Sequence, residues 1–183
     1  IDIYRSTNSS ITNNSGATIF AVGNTIRTGG SGSDSSTGYT ITNSGKIFTS
    51  STGAKSSVLF GNANSSGGKI INNSGAEIYS GGNIATIIVG GTTTIKNSGS
   101  IKNNGSVDDN VIELLGSNNT VTLEEGSTLV GKISSASGTS GNTLKLNLGA
   151  GQGYFYETVG DFTLQDLDGN QVVKGSAGSV GQG

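Results

Sequence analysis

Cysteine, histidine, methionine, tryptophan and proline are all absent from the 183 residues of this chain. Without Cys there is no disulfide framework, thiolate nucleophile or iron–sulfur site, and without His as well the usual zinc sites cannot be built. Ser-His-Asp and Cys-His catalysis lack their general base. Charge is scarce: 10 Lys and Arg stand against 12 Asp and Glu, a net charge of −2. Long apolar runs are missing too. The longest largely apolar segment, Ile84 to Val89, is far too short to span a bilayer as a helix. No stretch reads as a signal peptide, so the chain is expected to begin as a mature or excised fragment.

What is present is 32 Gly, 28 Ser, 21 Thr and 19 Asn, together 100 of 183 positions. Such a composition suggests disorder, which requires few large aliphatics and high net charge. Leu, Ile, Val and Phe number 10, 17, 11 and 5, or 23% of the chain, and net charge is low. Ile and Val outnumber Leu, and β-branched side chains favour strands over helices. A single folded, nearly all-β domain follows. Residues 1–102 carry seven Lys/Arg against three Asp/Glu, and residues 103–183 carry three against nine. This shift reads as solvated surface. No basic stretch alternates with aromatics, so no nucleic-acid partner is expected.

Internal repetition carries the most information. Ile11-Thr-Asn-Asn-Ser-Gly-Ala-Thr-Ile19, Ile41-Thr-Asn-Ser-Gly-Lys-Ile47, Ile71-Asn-Asn-Ser-Gly-Ala-Glu-Ile78 and Ile95-Lys-Asn-Ser-Gly-Ser-Ile101 align, and Ile101-Lys-Asn-Asn-Gly-Ser-Val107 overlaps the last. Gly16, Gly45, Gly75 and Gly99 can take positive φ at no steric cost, and Asn tolerates left-handed geometry. Each Asn-Ser-Gly is therefore expected to turn a corner between two strands whose aliphatic residues point inward. The leading aliphatics Ile11, Ile41, Ile71 and Ile95 continue in weaker form at Val121 and Leu144. Further strands follow at Val58-Leu-Phe60, Thr86-Ile-Ile-Val89 and Val111-Ile-Glu-Leu-Leu115, each just before a Gly. The spacing predicts a right-handed parallel β-helix, a single-chain solenoid of about six coils, with neighbouring coils one strand spacing apart. A β-sandwich with regular turns is the rival, but it leaves recurrent Gly corners with aliphatic flanks unexplained.

Residues 1–148 are assigned to the coils. Residues 149–174 form a capping region, with Phe162 to Val173 expected as a hairpin around a type I′ Asp168-Gly169 turn; residues 175–183 read as a Gly/Ser-rich linker. A hairpin there would cover the open end of a solenoid.

Several motifs imitate chemistry. Gly126-Ser-Thr-Leu-Val-Gly-Lys132 matches most of a phosphate loop, yet Ile133 stands where Ser or Thr must bind magnesium, and no helix follows. Gly29-Gly-Ser-Gly-Ser-Asp34 begins like a calcium-binding nonapeptide, but Ser36 occupies an aliphatic position and the motif needs stacked copies. Asp166, Asp168 and Asn170 lack the spacing and terminal Glu of a calcium loop. Asp108-Asp109 and Glu124-Glu125 are adjacent in strand-like surroundings, so each pair is expected to point to opposite faces. Asp166 and Asp168 could share a face about 6.6 Å apart, two strand rises, marginally suited to inverting glycoside hydrolysis. A turn explains the same residues. No catalytic, metal-binding or cofactor-binding residue is therefore assigned.

The repeated Ile-x-Asn-Ser-Gly-x-Ile units, with Asn119 to Ile133 (Asn-Thr-Val-Thr-Leu-Glu-Glu-Gly-Ser-Thr-Leu-Val-Gly-Lys-Ile) and Gly141-Asn-Thr-Leu-Lys-Leu146, resemble the passenger domain of a Gram-negative autotransporter (type V secretion). The resemblance runs from about Ile11 to Leu148 and fits the C-terminal part of a β-helical stem. It implies export through a C-terminal outer-membrane β-barrel of the same polypeptide, then display on the cell surface or release. It further implies a non-enzymatic role in adhesion or virulence, through a host-cell surface protein or glycan or through self-association. The serine-protease triad of some passengers cannot exist here without His. The alternative is a polysaccharide-binding or polysaccharide-cleaving β-helix using Asp166 and Asp168.

Overall fold

The computed structural model describes residues 1–3, 5–30, 34–50, 58–82, 84–105, 108–148, 153–154, 156–166 and 181–182. Among them there is no helix, and short strands follow one another around a three-sided prism. The first coil holds β1 (Ser10–Asn13), β2 (Thr18–Ala21) and β3 (Ile26–Arg27). The second holds β4 (Thr40–Asn43), β5 (Lys46–Thr49) and β6 (Leu59–Phe60). Next come β7 (Lys69–Asn72), β8 (Glu77–Ser80) and β9 (Ile87–Val89). In the fourth coil are β10 (Thr94–Asn97), β11 (Ser100–Asn103) and β12 (Asn110–Leu114). The fifth contains β13 (Thr120–Glu124), β14 (Thr128–Val130) and β15 (Lys132–Ser135). Beyond these five full coils lie β16 (Thr143–Asn147), β17 (Gly153–Tyr154), β18 (Thr158–Val159), β19 (Thr163–Asp166) and β20 (Gly181–Gln182).

Each side of the prism is a parallel sheet. The first runs β1-β4-β7-β10-β13-β16-β19, the second β2-β5-β8-β11-β14 and the third β3-β6-β9-β12-β15-β18. The architecture is the parallel β-solenoid that the Ile columns predict. β19 joins the first sheet as its seventh parallel strand, with Leu164 beside Leu144. The Asp168-Gly169 turn and the rest of the expected hairpin lie outside the described residues, as does most of the 175–183 segment. β17 and β20 form a separate antiparallel pair.

One side chain in two points inward, because successive residues of a strand face opposite sides. The first sheet supplies the buried column Ile41, Ile70, Ile95, Val121, Leu144 and Leu164, with Ile11 half-buried at its start. This corrects one member of the expected column. Ile70, not Ile71, pairs with Ile41 and Ile95, and Ile71 faces outward beside Thr42 and Lys96. Asn72 fixes the register, because it must stand where Asn43 and Asn97 stand. The second sheet adds Ile47, Ile78 and Ile101, and the third adds Ile26, Leu59, Ile87, Ile112 and Ile133, all at the core.

The corner between the first and second sheets is lined by a buried polar ladder. Asn13 Nδ2 donates to Asn43 Oδ1 at 2.8 Å, Asn43 to Asn72 at 2.9 Å, and Asn72 to Asn97 at 2.9 Å. The same amides also donate to the carbonyls of Lys46, Glu77, Ser100 and Thr128, at 3.1, 3.0, 3.1 and 3.2 Å. Buried amides require such partners, and a repeating coil provides the same ones at each level. The ladder ends where Leu123 takes the position after Asn97.

The corners themselves come in two forms. Asn14–Ala17 and Asn73–Ala76 close wide turns, with the Ala amides bonded to Asn14 O and Asn73 O at 3.0 Å, and Glu124–Ser127 repeats that pattern. Gly16, Gly75 and Gly126 take φ of 76°, 76° and 74°, at the turn position that requires a positive value. The tight corners at Ser44-Gly45 and Ser98-Gly99 need no positive φ, contrary to the expectation for Gly45 and Gly99. Their glycines serve close approach instead. A Cβ on Gly45 would lie 2.2 Å from Ala17 O, and one on Gly99 would lie 2.4 Å from both Ala76 O and Asn73 O. In the overlapping segment, whose residues 106–107 lie outside the described residues, Asn103 ends β11 and leads into a different corner, between the second and third sheets. There Asn103 Nδ2 donates to Ile84 O and Asn110 O at 3.0 and 2.9 Å.

Candidate functional site

A solenoid interior of aliphatic columns and amide ladders leaves its outer faces to meet other molecules. On the first sheet, Ser10, Thr40, Lys69, Thr94, Thr120, Thr143 and Thr163 form one outward row. Beside it run Thr12, Thr42, Ile71, Lys96, Thr122, Lys145 and Gln165, so a hydroxyl-rich face is punctuated by cations. Lys96 is held at 2.8 Å from Glu124, whose other oxygen accepts from Asn147.

The second sheet presents a different surface. Phe20, Phe48 and Tyr79 stand in register on β2, β5 and β8, followed by Lys102 and Val130. Ring centroids are 4.8 Å apart for both pairs, and the Phe48 and Tyr79 planes differ by only 6°. Phe20 is 51% exposed, so this stack lies on the outside of the rod, and Val22 beyond it is 71% exposed. Next to Tyr79 is a shallow depression of about 170 Å³ lined by Glu77, Ile78, Tyr79, Ser100, Lys102 and Asn104. Lys46 and Glu77 pair at 3.1 Å along its rim, and that hydrogen bond holds the Lys46 ammonium above its usual pKa.

A second depression, of about 370 Å³, opens on the third sheet between Ile84, Ala85, Ile88, Asp108, Asp109, Asn110 and Glu113. Asp108 and Asp109 precede β12 in a turn and both line this hollow, rather than pointing to opposite faces of a strand. Asp108 lies 3.6 Å from Lys132, which also reaches Glu157 at 3.1 Å. The hydrogen bond to Glu157 raises the Lys132 pKa.

The motifs that imitate chemistry are absorbed into the coils. Gly126 and Gly131 turn corners, Thr128–Val130 is β14, and Lys132 opens β15, so the phosphate-loop match spans two strands. Asp34 is bonded by Arg5 at 2.6 Å, and Gly29 forms an antiparallel bridge with Ser35; residues 31–33 lie outside the described residues. Glu124 ends β13 while Glu125 sits exposed in the corner. Asp166 ends β19 beside Leu146; Asp168 and Asn170 lie outside the described residues. No group of three His, Cys, Asp or Glu that could hold a metal occurs among the described residues.

The aromatic stack lies one residue beyond the repeated motifs. The residue after each second aliphatic is Phe20, Phe48 and Tyr79 in successive coils, and Lys102 in the fourth. Once that position is known to face outward, the column can be read directly. Comparison with protein-family models, with characterised proteins and with solved structures yields no match.

Proposed function

We propose that this chain is a stem segment of a surface-displayed or secreted bacterial protein of the autotransporter type, acting by adhesion rather than by catalysis. The observation that supports this reading most directly is the parallel β-solenoid built on repeated Asn-Ser-Gly corners. In such a rod each coil rests on its neighbours, so stability is a sum of local contacts and length can be added without a new core. A stem of this kind holds an attached region away from the membrane and offers long lateral faces to a host-cell protein, a glycan or another copy. Coils that stack one after another suit a chain emerging unfolded through a pore, and the lack of Cys removes a covalent obstacle to threading.

Two measurements test this. Bacteria displaying the complete polypeptide with and without residues 1–183 are compared for aggregation and host-cell binding; reduced adhesion on deletion supports the reading, and unchanged adhesion leaves only a spacer. Reading the polypeptide beyond Gly183 checks the secretion route. An outer-membrane β-barrel there supports it, and a polypeptide without one overturns it. The polysaccharide-binding alternative draws on the exposed Phe20–Phe48–Tyr79 stack. For cleavage, reducing-end release from a glycan panel, abolished by Asp168→Asn, would displace the non-catalytic reading.

A further inference from the structure

The aromatic stack on the second sheet stops where it could continue. Phe20, Phe48 and Tyr79 rise coil by coil at 4.8 Å, and the next register position is Lys102. One face of the Tyr79 ring lies on Phe48. Its opposite face is therefore turned toward β11, where the depression lined by Tyr79, Ser100, Lys102, Asn104 and Glu77 opens. A further feature marks this place. Lys102, on β11, has no ion-pair partner among the described residues, whereas Lys46 neutralises Glu77 across the rim.

We propose that this depression binds a single pyranose ring carrying a carboxylate, such as a terminal uronate or sialate of a glycan. The C–H face of the ring would pack on the part of the Tyr79 ring that lines the depression, beside the Lys102 stem. The carboxylate would meet the Lys102 ammonium in a charge-assisted hydrogen bond. A ring hydroxyl would meet the Asn104 amide, which lines the same depression. Charge selects the acidic sugar over a neutral one: with Lys46 and Glu77 paired, Lys102 leaves the site one positive charge in excess. An aromatic wall with a few convergent polar groups is the usual composition of a small-ligand site. One open face and one cation give weak binding per site, so tight attachment would depend on many copies at a cell surface.

The inference rests on the adhesion reading for its biological setting, and it names the ligand class and the contact. The full chain is titrated with methyl β-glucuronide and, separately, methyl β-glucoside, with amide resonances followed by NMR. Saturable shifts confined to Tyr79, Ser100, Lys102 and Asn104 are expected, with the glucuronide binding more tightly and weakening as salt is added. Lys102→Gln should lower glucuronide affinity at least about tenfold while leaving the glucoside unchanged. Tyr79→Ala should weaken both; if that variant loses its folded spectrum, Tyr79→Leu keeps the bulk and removes the flat ring face. Absence of shifts with either sugar, shifts elsewhere on the rod, or full glucuronide affinity in Lys102→Gln each overturns the proposal. Cell adhesion is a separate readout: loss of adhesion on deleting residues 1–183 alongside a silent titration would reject this site and keep the stem.

Discussion

The ring of Tyr39 fills the space above Gly68: a Cβ on Gly68 would lie 2.1 Å from Tyr39 Cζ. The two residues occupy one position in successive coils, just before β4 and β7, and Thr93 occupies it in the next. The buried Tyr39 hydroxyl passes Gly68 and comes within 3.5 Å of Thr93 Oγ1. One large residue thus spans three levels of the rod because the middle level has no side chain. Gly68→Ala should cost about 1–3 kcal/mol through overpacking. Urea unfolding measures it, and in a Tyr39→Leu background the penalty should shrink, since neighbouring sites are not additive.

The same tyrosine gives the rod an alkaline limit. Burial pushes the Tyr39 hydroxyl above its ordinary value of 10.0. The unfolded chain therefore loses this proton before the folded one does. Stability from this group is complete below pH 10 and falls as pH rises past it, until the folded value is passed, with a slope of at most about 1.4 kcal/mol per pH unit. Denaturant midpoints across this range should fall less steeply in Tyr39→Phe, with a residual slope from Tyr156, whose burial raises its pKa in the same sense.

Ile70 and Ile71 separate core from surface in adjacent residues. Ile70 is 1% exposed and Ile71 faces outward. Ile70→Asp should destabilise by about 3–5 kcal/mol or prevent folding, through a buried unpaired charge. Ile71→Asp should change stability by less than about 1 kcal/mol. Thermal melts of the two variants decide the register, and equal losses would refute it.

Asn43 is an interior rung of the amide ladder, bonded to both neighbouring levels. It donates to Asn72 and Glu77 and accepts from Asn13 and from the Gly45 amide at 3.1 Å. Asn43→Ala strands several of these partners, and about 2–4 kcal/mol of destabilisation is expected. Hydrogen exchange should rise at Gly45 and the flanking coils, while the Asn119 amide, which donates to Asn142 Oδ1 at 2.9 Å outside this ladder, stays protected, because coil contacts are local.

Glycines with the same motif should respond differently. Gly16→Ala meets an open space but a φ of 76°, a cost of about 1 kcal/mol. Gly45→Ala has no such φ, yet its Cβ would press on two backbone carbonyls. It should be the more destabilising of the two by chemical denaturation.

The solenoid was legible because aliphatic residues and Asn-Ser-Gly recur together, and only stacked coils put both to use. The exact register was not legible at Ile70-Ile71, where two identical side chains compete for one inward position and Asn72 decides. Nor could the pattern distinguish a glycine needed for φ, such as Gly75, from one needed for contact, such as Gly99. That difference depends on the coil beneath. The outer aromatic column was present in the sequence as Phe20, Phe48 and Tyr79, but it gains meaning only once facing is known.

The alternation of wide and tight corners gives the rod a parity. Gly45 nests on the corner of the coil before it, and Gly99 does likewise, whereas Gly75 has open space around its Cβ position. A wide corner therefore prepares the seat for a tight one, and the natural module is a pair of coils rather than a single coil. Removing or duplicating one coil would set like corners against each other, while excising two would rejoin matched surfaces. Natural length variants and engineered rods of this type should grow and shrink in steps of two.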